Sequence, residues 1–327
     1  MASSSSSPSS VQEQEQELVK TITSLHHSIS LLPSLHPSKE VNHLFTQLVL
    51  ACIPPSTIAI PSLPEDTQAM RSHLIRLCGQ AEGHLESHYS AIITAQDRPL
   101  DHLTMFPYYS NYVQLTELEF TLLSRHIGAP PGHVAFVGSG PLPLSSLLLA
   151  TRYLKGSAFH NYDLDEKANA EAAKLVEADP GLARRFGFRT ENIMGVKRAL
   201  ARYNVVFLAA LVGMGREEKR EVIDHLARHM APGALLVVRS AHGARAFLYP
   251  VVDLEDLKGF EVLSVYHPGD EVINSVIVAR KKGEQGNGPG MVMQTCKCCE
   301  AFASSHLGGH GSLVEELQAM EGQPSSY

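Results

Sequence analysis

From about residue 11 to 126 the apolar positions recur at spacings of three and four, the period of amphipathic helices, with breaks at PS (33–34), IPPS (53–56) and PSLPED (61–66). This predicts a helical bundle. Its third helix is expected to start at Pro64, Glu65 and Asp66, where early acids suit a helix N-terminus, and to run to about Ala95. Glu82 and Glu86 then share one face. The stretch YYSNYVQLTELEFTLLSRHI predicts a fourth helix, stopped by GAPPG at 128–132.

Beyond Gly132 the period changes to strand and helix in alternation. Strands are expected at 134–138, 158–162, 188–193, 203–211, 234–239, 261–266 and 274–279, with helices at 143–154, 165–177 and 216–230. Such alternation implies an α/β fold: a Rossmann-like, mainly parallel sheet with helices on both faces and a ligand at the carboxyl ends of its strands. The turn HPGDEV between the last two strands predicts an antiparallel terminal hairpin. From Lys281 the text becomes KKGEQGNGPG, a glycine-rich link. The expected organisation is therefore a disordered segment 1–10, a helical bundle 11–127, a sheet domain 128–281, and a flexible Cys/His-containing tail 282–327.

Composition narrows the partners. In 327 residues, 44% are apolar, enough to fill a sizeable core; the formal charge is −7, and no Lys/Arg run tracks a phosphate backbone, which argues against nucleic acid. The serine-rich start MASSSSSPSS lacks arginine, and the most apolar run, VVFLAALVGM at 205–214, is too short to span a bilayer. The expected address is cytoplasmic. Tyr112-Val-Gln-Leu115 fits the sorting pattern YxxΦ, which leaves vesicle association open, but its residues also have the helical spacing of core. Cys52 and Cys78 lie in apolar helical patterns and Cys296, Cys298 and Cys299 in the tail, which is not a secreted disulfide framework.

The candidate chemistry sits first in HVAFVGSGPLPLSSLLLA at 133–150. A strand followed by Gly138, Ser139 and Gly140 lets a ligand approach the backbone, and a helix starting at Pro143 offers unpaired N–H groups. Pro143 stands where a dinucleotide fingerprint has its third glycine, and no Gly-Lys-Ser/Thr follows, so neither NAD nor a P-loop nucleotide fits. A nucleoside does. Asp163, 23 residues after Gly140, is placed to accept hydrogen bonds from ribose hydroxyls, while Asp165 is either a second ribose contact or the N-cap of the next helix. Ala209 and Ala210, small residues at the end of the fourth strand, would let an adenine or methionine moiety pass.

The glycine turn, the acidic second strand, the aliphatic fourth strand and the terminal hairpin together resemble the S-adenosylmethionine-dependent methyltransferase fold. Four stretches sharpen this: AEGHLESHYS (81–90), MFPYYSNYVQL (105–115), VAFVGSGPLPLSS (134–146) and VVRSAHGARAFLYP (237–250). They resemble the plant nicotianamine synthase family over roughly residues 10–280. The resemblance implies an enzyme that moves the 3-amino-3-carboxypropyl group of S-adenosylmethionine onto an amine and releases methylthioadenosine. Three such molecules are used as substrate to build nicotianamine, a chelator of iron, copper and zinc that serves metal transport; the reaction itself requires no metal.

An amine attacking carbon beside a sulfonium must lose a proton and approach in line. Glu82 can hold an ammonium group and take its proton, with burial raising its pKa. The resemblance pairs it with Tyr108 as the catalytic residues. Tyr109 and Asn111 on the same segment, with Arg239 at the end of the fifth strand and His242 in the loop after it, are expected to bind substrate, the arginine meeting an α-carboxylate. On spacing alone, two glutamates one turn apart make a solvated helix face, and tyrosines after a proline make packing. An ordinary methyltransferase is the rival enzyme. A metal-handling protein working through Cys296, Cys298, Cys299, His306 and His310 is the rival of another class, although CxCC lacks the paired knuckles of a structural zinc site. The partners are small molecules, without an integral membrane segment, and a homo-oligomer stays open.

Overall fold

The computed structural model describes residues 8–283 and 312–321. Helix α1 spans Pro8–Ser30, so its first turn falls inside the stretch expected to be disordered, with Pro8 at the start where a missing N–H costs nothing. Helix α2 (Lys39–Cys52) is capped by Ser38, whose hydroxyl accepts from Val41 N at 3.2 Å. Helix α3 (Glu65–Thr94) carries Glu65 and Asp66 in its first turn, as the acids predict. Helix α4 is Tyr109–Ser124.

Seven strands follow: β1 (His133–Val137), β2 (Ala158–Asp163), β3 (Phe186–Thr190), β4 (Val205–Leu208), β5 (Leu235–Ser240), β6 (Phe260–Tyr266) and β7 (Ser275–Lys281). They form one sheet in the order β3-β2-β1-β4-β5-β7-β6. The first five are parallel, and β7 runs antiparallel to both β5 and β6, the expected terminal hairpin. The order reverses between β1 and β4, which opens a crevice at their carboxyl ends. Between the strands lie α5 (Leu144–Leu148), extended by a wider turn to Tyr153, then α6 (Glu166–Val176), α7 (Pro180–Ala183) and α8 (Arg216–His229).

The pleat explains the near-continuous apolar runs. Val134, Phe136, Val205, Phe207, Leu235 and Val237 pack on one face, with α4 and α5, while Ala135, Val137, Val206, Leu208, Leu236 and Val238 pack on the other, with α8. The third core belongs to α1, α2 and α3, completed by Ala244, Phe247, Leu248 and Ile273 from the loops beyond β5 and β6.

One expectation fails. Inside the stretch predicted to be a flexible tail, Leu313–Glu321 form helix α9, and Leu313, Leu317 and Met320 bury one face of it in the bundle core. Ser110 Oγ donates to Glu316 at 2.5 Å, and Leu313 N donates to Glu271 at 2.6 Å. A nine-residue helix is marginal alone and depends on this docking, which no local pattern displays. Among the described residues no helix is long and apolar enough to cross a membrane.

Candidate active site

Sheet and bundle enclose a cavity of about 1270 Å³ over the carboxyl ends of β1, β2 and β4. Ordinary small-ligand pockets hold roughly 300–1,000 Å³, so this cavity lies above that range.

The glycine loop after β1 forms its floor. Gly138 and Gly140 have φ of 81° and 65°, a region that suits glycine. A Cβ on Gly138 would collide with Val212, and one on Gly140 with Glu86 Oε2. The bundle carboxylate thus occupies the notch that the second glycine leaves, joining AEGHLE to GSGPLP in space. Asp163 fastens the same loop. Its Oδ2 accepts from Gly140 N at 2.9 Å and its Oδ1 from Asp165 N at 3.0 Å. Asp165 accepts from Lys167 N at 2.8 Å, the N-cap alternative, and its side chain also borders the cavity. Leu164 between them is 70% exposed at the cavity mouth.

Ala209 and Ala210 line the cavity after β4. Buried Lys219 donates to both of their carbonyls, at 2.9 and 2.8 Å. Burial pushes its ammonium down to about 7, and even the neutral amine keeps two N–H donors for the two carbonyls.

The bundle side carries the titratable groups. Glu82 Oε2 accepts from the Tyr249 hydroxyl at 3.1 Å, and Glu82 Oε1 lies 3.4 Å from the Tyr112 hydroxyl, which reaches Glu86 Oε1 at 3.0 Å. Burial raises the pKa of Glu82, opposed by the Tyr249 hydrogen bond, the charge of Arg239 and the Tyr112 hydrogen bond. Burial and the charge of Glu82 raise Glu86 well above the usual carboxylate range. Tyr108 lines the cavity beside Glu82, and burial with that carboxylate's charge raises its phenol. The hydroxyls that hold Glu82 are those of Tyr112 and Tyr249, where the resemblance pointed to Tyr108.

Arg239 also lines the cavity, but its guanidinium is engaged. Nε and Nη2 hold Glu119 at 2.7 and 3.0 Å, Nη2 reaches Ser145 Oγ at 2.6 Å, and the cation lies 5.8 Å from the Tyr112 ring centre. Asn111 reaches the cavity and donates to Glu271 O at 2.8 Å, holding the β6–β7 loop that presents Asn274. Asn274 is 6% exposed, and its amide nitrogen has no hydrogen-bond partner; neither has the Ser139 hydroxyl.

Two expected substrate contacts lie elsewhere. Tyr109 is the first residue of α4 and Tyr108 the non-helical residue before it, so the two side chains diverge; the Tyr109 hydroxyl accepts from Arg152 at 3.1 Å, away from the cavity. His242 is exposed and stacks on His267 with ring centres 4.2 Å apart, because the chain after β5 turns towards the β6–β7 loop. Among the described residues no group of three or more His, Cys, Asp or Glu is placed to hold a metal ion. Cys296, Cys298, Cys299, His306 and His310 lie outside the described residues.

Sequence reasoning missed Tyr112, Tyr249, Asn274, Lys219 and the role of Glu86. For Glu86 a signal existed: Ile75 and Ile93, both buried on α3, stand about three and two turns away on the same face, and a carboxylate between apolar residues of one face is turned inward.

The family model described as nicotianamine synthase protein matches residues 11–286. Nicotianamine synthase 9 of Hordeum vulgare is 60% identical over 271 residues, covering 82% of this chain and 80% of its own. Nicotianamine synthase 3 of Oryza sativa subsp. japonica is 53% identical over 326 residues, covering 95% and 94%. Among solved structures, a mutant of MtNAS in complex with S-adenosylmethionine superposes with a TM-score of 0.66 at 22% identity, covering 81% of this chain and 98% of that one. MtNAS in complex with MTA and tNA gives the same TM-score over 82% and 98%. At that identity the likeness is one of fold.

Proposed function

Since the chain belongs to the nicotianamine synthase family, we infer that it is a nicotianamine synthase, joining 3-amino-3-carboxypropyl groups from three S-adenosylmethionine molecules and releasing three methylthioadenosine. The observation that carries the reading into chemistry is the Glu86–Gly140 contact, which sets a buried carboxylate, with half-buried Glu82 one turn before it, over a nucleoside-type glycine loop.

Each side chain has a task in that reaction. The backbone of Gly138, Ser139 and Gly140 lets the nucleoside approach. Asp163 spends one lone pair of each oxygen on backbone N–H groups and keeps others for the two ribose hydroxyls. Ala209, Ala210 and Leu164 offer flat apolar surface to adenine. Glu82 accepts the proton that the attacking amine must lose. The nitrogen lone pair forms the N–C bond, the C–S bond breaks, and its electrons remain on sulfur as a neutral thioether. Tyr112 and Tyr249 fix the carboxylate in place, and Tyr108 presents a polarisable face to the sulfonium.

The α-carboxylate of the donor needs a partner, and Arg239 is already neutralised by Glu119. Asn274 lies two residues before Val276, the β7 residue opposite Arg239, so it shares that sheet face one step further towards the cavity. We assign its unpaired amide to the carboxylate. Asn274→Ala is expected to raise KM for S-adenosylmethionine about tenfold, the worth of one hydrogen bond to a charged group, with kcat changed less; an unchanged KM removes Asn274 from the site.

S-adenosylmethionine supplied alone distinguishes the reactions. Methylthioadenosine and nicotianamine in a 3:1 ratio are expected from the reaction's stoichiometry. S-adenosylhomocysteine would mean a methyltransferase, and no nucleoside product would leave only a binding protein.

A further inference from the structure

Glu82 and Glu86 lie one turn apart on α3, and a single phenol, Tyr112, stands within hydrogen-bond distance of both. A phenol has one proton to give. Two ionised carboxylates around it would leave one without that donor, in a site whose cation, Arg239, is already engaged by Glu119. Other neighbours sharpen the asymmetry. Glu82 has a second donor in Tyr249, whereas the Gly140 N–H beside Glu86 is given to Asp163, a further negative charge facing it from β2. Tyr108 and Cys78 face Glu82 and bring no charge of their own near neutral pH, because burial raises both.

We propose that Glu86 is a neutral carboxylic acid in the working enzyme, donating its proton to Tyr112 Oη while the Tyr112 proton points to Glu82, so that Glu86 is the positioning residue that keeps Glu82 the ionised base. The direction of the hydrogen-bond chain, Glu86 to Tyr112 to Glu82, is set by which member starts with the extra proton. It resolves the like-charge conflict as paired carboxylates generally do, by holding one proton between two groups. Burial and the Glu82 charge act in the same direction, holding the Glu86 proton to well above the pH at which free carboxyls lose theirs.

The assignment of roles rests on the proposed reaction, but the proton itself can be seen without turnover. Infrared difference spectra of the full chain, wild type minus Glu86→Gln at neutral pH, are expected to show the carbonyl stretch of one protonated carboxylic acid. Absence of that band overturns the proposal and leaves the synthase reading untouched. Kinetics give a second readout. Glu86→Gln keeps a donor to Tyr112, so kcat near neutral pH should fall only severalfold, the scale of one weakened neutral hydrogen bond of about 1 kcal/mol. Its alkaline limb, which in the wild type follows loss of the Glu86 proton, should move to higher pH or vanish. Glu86→Leu removes the donor and should cost about a hundredfold or more, the lower range for a disabled proton-transfer group. If Gln is as inactive as Leu while both retain S-adenosylmethionine binding and thermal stability, Glu86 acts ionised and the proposal is wrong.

Discussion

Glu82→Gln is expected to abolish nicotianamine formation, with kcat down about a thousandfold, within the range for loss of a general base, while S-adenosylmethionine still binds. The amide is isosteric: its oxygen can accept from one of Tyr249 and Tyr112 and its NH2 can donate to the hydroxyl oxygen of the other, so the cavity keeps its shape; what disappears is the site that takes the amine's proton. Isothermal titration should give a dissociation constant within a few fold of wild type, and chromatography should show methylthioadenosine release falling with product. Wild-type turnover in the variant would remove Glu82 from the chemistry. The pH dependence follows from its raised pKa. As pH falls through that value Glu82 becomes protonated and the acid limb of kcat appears, displaced above the range of a free carboxyl by the burial of Glu82.

Gly140→Ala should damage binding and stability together. Its φ of 65° costs a non-glycine residue about 1 kcal/mol or more. The added methyl would also overlap Glu86 Oε2, so either the loop shifts, breaking the Gly140 N–H bond to Asp163, or Glu86 swings off Tyr112. A stability loss of about 2–3 kcal/mol by denaturant titration is expected, with S-adenosylmethionine affinity lowered at least tenfold. Gly83 is the internal comparison. It lies in the AEGHLE motif with Glu86, in mid-helix, and a Cβ there meets nothing within 4 Å, so Gly83→Ala should stabilise the chain by about 0.5–1 kcal/mol. Equal losses from the two substitutions would contradict the notch.

The reason for these contrasts is geometric. Gly140 is close to Glu86 only because α3 crosses the mouth of the sheet, and Arg239 is neutral in effect only because Glu119, 120 residues earlier, folds beside it. Tyr112 illustrates the same limit. Its spacing with Leu115 reads as helix core, and Leu115 is indeed buried, but Tyr112 is turned into the cavity where its hydroxyl meets two carboxylates.

The sequence by itself determined the four bundle helices, the seven strands and the three longer helices between them, in their order. Parallel strands buried on both faces read as unbroken apolar runs, the bundle helices show a regular stripe, and a glycine loop has to be glycine where φ is positive, all of which are properties of neighbouring residues. Its motifs also identified Glu82, Gly138, Gly140 and Asp163 as residues that now line one cavity. Only the tertiary structure decided which tyrosines hold Glu82, that Arg239 is paired, that Tyr109 and His242 face elsewhere, and that Leu313–Glu321 docks as a helix. Each of those depends on distances between residues far apart in the chain, where one turn of helix or one bend of a loop exchanges a partner in the cavity for one outside it.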